Sequence, residues 1–214
     1  MDSSPIQAND ICIELPAFKQ LLSLDKEIKQ RFPKDDGSGF EELGLILEKP
    51  SDWKNGGHWC TPLNTLSFGN TGTDGEHFSF LVLNSKITAQ SPVIVTIPDG
   101  TDVDMSANVV LAKNFTNFLR FGLHHGFSSL VDLGFTPKAA LPLYLSDYSP
   151  IKNRDGIFLE EALDDQGYEI LDFVGEVLEL QPYRYTVAEF ILLQQRCMPL
   201  LTMPDDYDDP NVYG

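Results

Sequence analysis

The sequence predicts one α+β domain, a mixed or antiparallel sheet packed by helices. Two observations carry that prediction. Between Leu66 and Ala112, runs rich in β-branched and aromatic residues are separated by glycine- and asparagine-rich turns. On either side lie segments whose apolar residues recur at helical spacing. A chain of 214 residues with 42% hydrophobic and 22% charged residues can bury one substantial core. No internal repeat or clean linker divides it. One domain over residues 15–200 is expected, with a flexible segment at 1–14 and an acidic tail at 201–214 that contains Asp205-Asp-Tyr-Asp-Asp209.

The elements follow in order. Ile11-Cys-Ile13 can dock locally within a segment otherwise expected to fray. Pro16 opens a helix that presents Phe18, Leu21, Leu22, Leu24 and Ile28 to the sheet and ends near Pro33. Pro33 to Gly39 reads as a mobile connection. Leu43, Leu45 and Leu47 then alternate in a first strand or a ligand-lining loop. Lys54-Asn-Gly-Gly57 is a strong turn signal between Trp53 and Trp59, and fits either a recognition loop or an aromatic anchor. Strands are expected at Leu66–Phe68, Phe78–Leu83, Pro92–Ile97 and Asn108–Ala112, as an antiparallel meander with turns at Asn70–Gly75 and Asn84–Gln90. Phe115, Phe118, Leu119, Gly122 and Leu123 share one face of a second helix. Leu141–Leu145 is a strand or a loop anchor. Phe158–Leu180 reads as helical pieces interrupted at Gln166-Gly167 and at Gly175, and Tyr185–Leu193 as a last helix before Pro199.

Charge narrows the function classes. A formal net charge of −17 disfavours nucleic-acid binding, which needs a concentrated positive face, and favours a basic protein partner. The acidity is uneven: Asp155 to Tyr183 holds nine acidic residues and no Lys or Arg. That stretch is either a steering field or a solvated, solubilising surface. Cys12, Cys60 and Cys197 are too few and scattered for a disulfide scaffold, which fits a reducing compartment. The first residues, with Asp2 and Asp10, lack a basic-then-apolar leader pattern, and no stretch approaches the roughly 20 apolar residues of a membrane span. A cytoplasmic protein without a membrane partner is expected.

Sequence motifs for chemistry are weak. Asn70, Asp74, Glu76 and His77 gather oxygen and imidazole groups in Leu66 to Leu83. A calcium loop starting at Asn70 would put Gly72 at a ligand position and Phe80-Leu81 where the closing glutamate belongs. Gly72 and Gly75 are instead expected at positive φ, with Asn70 and Asp74 bonding nearby amides. Asp99, Asp102 and Asp104 read as a solvated turn, because no His or Lys stands at a recognisable spacing from them. His124 and His125 diverge by about 100° on a helix and do not share a small ligand. Cys60, beside His58 and Trp59, lacks a catalytic partner motif and reads as a buried thiol. Ser67, Ser79 and Ser128 sit in no nucleophile elbow, and Asn70 to Gly75 lacks the Gly-Lys-Ser/Thr ending of a phosphate loop. No enzyme activity, cofactor or metal is expected.

Trp59, Phe68-Gly-Asn-Thr-Gly-Thr-Asp-Gly-Glu-His-Phe-Ser-Phe-Leu81, Pro92-Val-Ile-Val-Thr-Ile-Pro98 and Asn114 to Gly126 together resemble the SMI1/KNR4 family, or SUKH superfamily. The resemblance covers about Leu15 to Leu130 and leaves an extended, divergent and acidic C-terminal part. It implies an SMI1/KNR4-like α+β domain with a binding role. Many bacterial relatives are immunity proteins that neutralise toxin domains, often nucleases, and fungal relatives act in cell-wall and signalling networks. The family's Gly-Asp-Gly turn falls here on Thr71-Gly-Thr-Asp-Gly75, and its aromatic strand start on His77-Phe-Ser-Phe80.

An immunity-type protein would occlude a basic toxin surface with acidic and aromatic side chains. Charge would speed encounter and buried aromatics would lengthen residence. The candidate contact residues are Trp53, Trp59, Asp74, Glu76, Asp99, Asp102, Glu160, Glu161, Asp164 and Asp165, with stabilising the loop arrangement favoured over direct contact for Trp59 and Asp74. A regulatory or scaffold protein of the same family and a metal-dependent hydrolase are the alternatives.

Overall fold

His77-Phe-Ser-Phe-Leu81 sets the two faces of the sheet. Side chains alternate along a strand, so Phe78 and Phe80 share one face while His77, Ser79 and Leu81 share the other. All five are buried, which requires a cover on both faces. The computed structural model describes residues 5–34, 39–98, 107–124, 126–135, 145, 163–183 and 185–205. Its strands are β1 (Cys12–Glu14), β2 (Ile46–Leu47), β3 (Thr65–Asn70), β4 (His77–Leu81), β5 (Lys86–Thr88), β6 (Val93–Thr96) and β7 (Asn108–Ala112). The helices are α1 (Pro16–Arg31), α2 (Phe115–Gly122), α3 (Asp132–Phe135), α4 (Asp165–Val177) and α5 (Val187–Cys197). Among the described residues no helix is long and apolar enough to cross a membrane.

The main sheet runs β2-β3-β4-β6-β7 with every neighbour antiparallel. The meander is interrupted once. Asn84–Gln90, expected as a turn, contains β5, which pairs in parallel with β1 through Cys12↔Lys86, Ile13↔Ile87 and Glu14↔Thr88. Residues 12–14, placed by the sequence in a flexible segment, are therefore tied down by a strand partner.

The aromatic face is the denser of the two. Phe68 and Phe80 lie 4.4 Å apart, and Phe18 of α1, Trp53, and Phe115 and Phe118 of α2 close over them. Trp53 is a correction to the sequence reading. It is 3% exposed, edge-on to Phe18 at 4.8 Å, and its Nε1–H donates to the Glu48 carbonyl at 3.0 Å. A side chain so enclosed, with its polar atom satisfied internally, is an anchor and not a surface contact.

The opposite face carries small polar side chains under the 54–62 loop. Thr96 Oγ1 donates to Asn108 Oδ1 at 2.8 Å, and Asn108 Nδ2 donates to the Cys60 carbonyl at 2.9 Å. The loop thus lies over a hydrogen-bonded layer, as buried polar groups require. At the β7 edge, the Gln194 side chain of α5 accepts from Val110 N–H at 3.0 Å and donates to Val110 C=O at 2.7 Å. One amide side chain replaces a strand neighbour there and blunts the edge.

Three helices, α2, α4 and α5, begin at side-chain caps. Asn114 accepts from Asn117 N–H to start α2, and Thr186 with Glu189 forms a capping box on α5. α4 runs without the breaks expected at Gln166-Gly167 and Gly175. Gly167 lies in its first turn, where Asp164 caps the amide at 2.7 Å, and Gly175 lies in its last. Glycine near a helix end costs less than in the middle. The tail boundary placed after residue 200 falls within a docked segment: Leu63 N–H donates to the Thr202 carbonyl at 2.7 Å, and Asn64 bonds Leu200 and Thr202.

Candidate binding cleft

The polar turn between β3 and β4 is held by its own side chains. Gly72 (φ +84°) and Gly75 (φ +79°) adopt the left-handed conformation expected of them, and exposed Asp74 adopts it too at φ +42°. Asn70 Oδ1 accepts from Gly72 N–H at 3.0 Å. Thr71 Oγ1 accepts from Thr73 N–H at 3.3 Å and donates to a Glu76 carboxylate oxygen at 2.8 Å. The turn is consequently a shaped wall.

The facing wall comes from the β2 edge. Glu48 N–H donates to Phe68 C=O just beyond β2; the chain then leaves the sheet, inserts Trp53 into the core, and returns where Lys54 C=O accepts from Ser67 N–H. This excursion delivers Glu48 and Lys54 to the same side as the turn. Between the walls is a cleft of about 280 Å³ that also takes in His58, His77 and Glu76.

His77 forms the floor. Its Nδ1 lies 2.8 Å from the Gly75 carbonyl, which can only accept, so Nδ1 carries the proton. Nε2 then accepts from the Thr61 hydroxyl at 3.3 Å, and Thr61 Oγ1 accepts in turn from His58 N–H at 3.2 Å. Burial holds the His77 imidazole below its ordinary pKa, against the raising effect of the Gly75 bond, and His58 adds a small lowering. The His58 ring stacks on it, with centroids 5.6 Å apart and planes 24° from parallel. Two glycines permit this close approach. A Cβ at Gly56 would come within 2.2 Å of His77 Nε2, and one at Gly75 within 2.4 Å of the His58 ring.

Glu48 is the unusual group. Its Oε1 accepts from Asn70 Nδ2 at 3.4 Å, while Oε2 is enclosed and has no hydrogen-bond partner among the described residues. Burial pushes the Glu48 carboxyl above its ordinary pKa, with Asn70 and then Lys54 acting the other way. A buried carboxylate oxygen left open is costly unless something fills it.

The structure groups only some of the sequence candidates. Glu76 lines the cleft, Asp74 sits at the tip of its outer wall, and exposed Trp59 follows His58 in the chain. Asp164 lies elsewhere and is engaged: one oxygen caps Gly167, and the other takes Lys34 at 3.0 Å, with Lys34 also paired to Glu42. Those bonds hold the Asp164 carboxyl below its ordinary pKa, the Gly167 amide first. Asp165 is exposed in the first turn of α4. Asp99, Asp102, Glu160 and Glu161 lie outside the described residues.

Glu48, Lys54, His58 and His77 were not among the candidate contact residues, although His77 was weighed as a metal ligand and named as the aromatic strand start. Glu48 meets Asn70 because β2 pairs with β3 through Ile46↔Asn70 and Leu47↔Gly69, a register no local motif announces. Among the described residues no three His, Cys, Asp or Glu side chains are placed to hold a metal ion, and both ring nitrogens of His77 are already engaged. Comparison with protein-family models, with curated proteins and with solved structures finds no match, so the resemblance to the SMI1/KNR4 family rests on the motifs of this chain.

Proposed function

We propose that this protein is an immunity-type binder that neutralises a basic toxin domain, such as a nuclease, by occupying its positive surface. The observation that carries the reading is the cleft at the β3–β4 turn, where Glu48 and Glu76 share one concavity in a chain of net charge −17. Exposed Asp74 and Trp59 beside it add a further negative charge and an aromatic surface. Such an arrangement favours a positively charged partner in both encounter and residence. The SMI1/KNR4 resemblance supplies the toxin as the partner class and the family's binding role as the precedent.

The mechanism is steric and electrostatic. A nuclease holds its substrate through cationic side chains, and an acidic protein seated on them excludes the substrate without altering the enzyme covalently. Calorimetry with the C-terminal domain of a secreted toxin encoded beside this gene, with toxin activity measured in the same samples, tests the reading. Stoichiometric binding with loss of activity is expected. A folded pair that neither binds nor inhibits overturns it in favour of a regulatory or scaffold role.

A further inference from the structure

We infer that the cleft between Glu48 and the Asn70–Glu76 turn is a socket for a single cationic side chain, an arginine or lysine of the partner. The inference rests on the binder reading above and names the group its site receives. Three observations converge on it. Glu48 lines the cleft, and its enclosed Oε2 has no hydrogen-bond partner among the described residues. Glu76 contributes a second carboxylate to the same lining. The space of about 280 Å³ falls just below the roughly 300–1,000 Å³ of sites for drug-sized ligands, and suits one side chain.

The polarity of the walls disfavours the opposite guest. An anion would need free main-chain amides, yet Gly72 and Thr73 N–H are turned to Asn70 and Thr71, and Gly57 N–H to Asn55. His77 has no nitrogen to spare, since one is bonded to Gly75 and the other to Thr61. Lys54 lines the cleft as its own cation without an ion pair to Glu48 among the described residues. It therefore competes with an incoming cation for the field of Glu48. The stacked His58 and His77 rings give a guanidinium a flat neighbour, so arginine is preferred to lysine.

The test uses the full chain and NMR of its imidazole resonances, with His124 as the internal reference. The probes are Nα-acetylarginine methylamide, its lysine counterpart, the neutral citrulline isostere and inorganic phosphate. Saturable shifts of His58 and His77 with arginine, weaker with lysine and absent with citrulline, are expected. Glu48→Gln should weaken arginine binding at least ~10-fold, and Lys54→Met, which removes the internal competitor, should tighten it. If Glu48→Gln fails to fold, the Lys54→Met response still decides. Equal shifts with citrulline, shifts with phosphate alone, or none up to the solubility limit of arginine overturn the socket. The two readings separate cleanly. Tight toxin binding indifferent to Glu48→Gln removes the socket and keeps the binder, whereas a socket that takes arginine in a protein that ignores the toxin does the reverse.

Discussion

Adding one methyl group at Gly56 should break the floor of the cleft. The Cβ of alanine would lie 2.2, 2.5 and 2.7 Å from Nε2, Cε1 and Cδ2 of His77. That ring is 4% exposed and pinned at both nitrogens, so it cannot swing away without releasing Gly75 or Thr61. Overpacking of a filled site costs about 1–3 kcal/mol, and each hydrogen bond lost adds about 1. Gly56→Ala should therefore destabilise the fold by about 2–4 kcal/mol. A double-mutant cycle isolates the cause. His77→Ala is itself destabilising, because it opens a cavity and leaves the Thr61 hydroxyl and Gly75 carbonyl unpaired. In that background, however, the new methyl group meets empty space, and Gly56→Ala should cost less than about 0.5 kcal/mol. Urea unfolding of the four proteins, with the slope constant across the set, measures the coupling. The same cost in both backgrounds would refute steric contact with His77 as the reason for glycine at this position.

The remaining expectations concern other parts of the fold. Trp53→Ala should cost about 3–5 kcal/mol of stability by urea unfolding, whereas Trp59→Ala, at 45% exposure, should stay within about 0.5. Gln194→Ala leaves the Val110 N–H and C=O open at the β7 edge; a loss of about 1–3 kcal/mol is expected, with self-association visible by light scattering. Acid should weaken the fold in two steps. His77, whose folded pKa is lowered, adds stability that is complete above the ordinary imidazole value of 6.5 and is lost as pH falls through its folded value. Asp164, also lowered but exposed, contributes a small increment that is lost further down, below the ordinary value of 3.8. The first step should vanish from the pH–stability profile of His77→Ala while the second persists.

Much of the sheet was legible in the sequence, because Leu66–Phe68, Phe78–Leu83, Pro92–Ile97 and Asn108–Ala112 each concentrate β-branched or aromatic residues between turn residues. The first helix was legible from the spacing of Phe18, Leu21, Leu24 and Ile28. β5 was not: Lys86-Ile-Thr88 has one buried side chain, and it is a strand only because β1 arrives from a distant part of the chain. Trp53 could not be told from Trp59 by its neighbours, since both flank the same glycine turn and only the packing of Phe18 and Phe68 decides between them. The cleft was half legible. Glycines 72 and 75 and the strand start at His77 marked one wall, but Glu48 belongs to the other only through the β2–β3 register. Burial of a single carboxylate oxygen is likewise a property of the assembled chain, which no local pattern encodes.

Hydrogen exchange on the complex with the basic toxin domain shows whether the cleft at the β3–β4 turn is the surface that the toxin covers. Backbone amides at 54–58 and 70–76 should be protected in a complex that has lost toxic activity. Loss of activity with protection confined to other surfaces, and none at these two segments, would contradict the cleft as that surface.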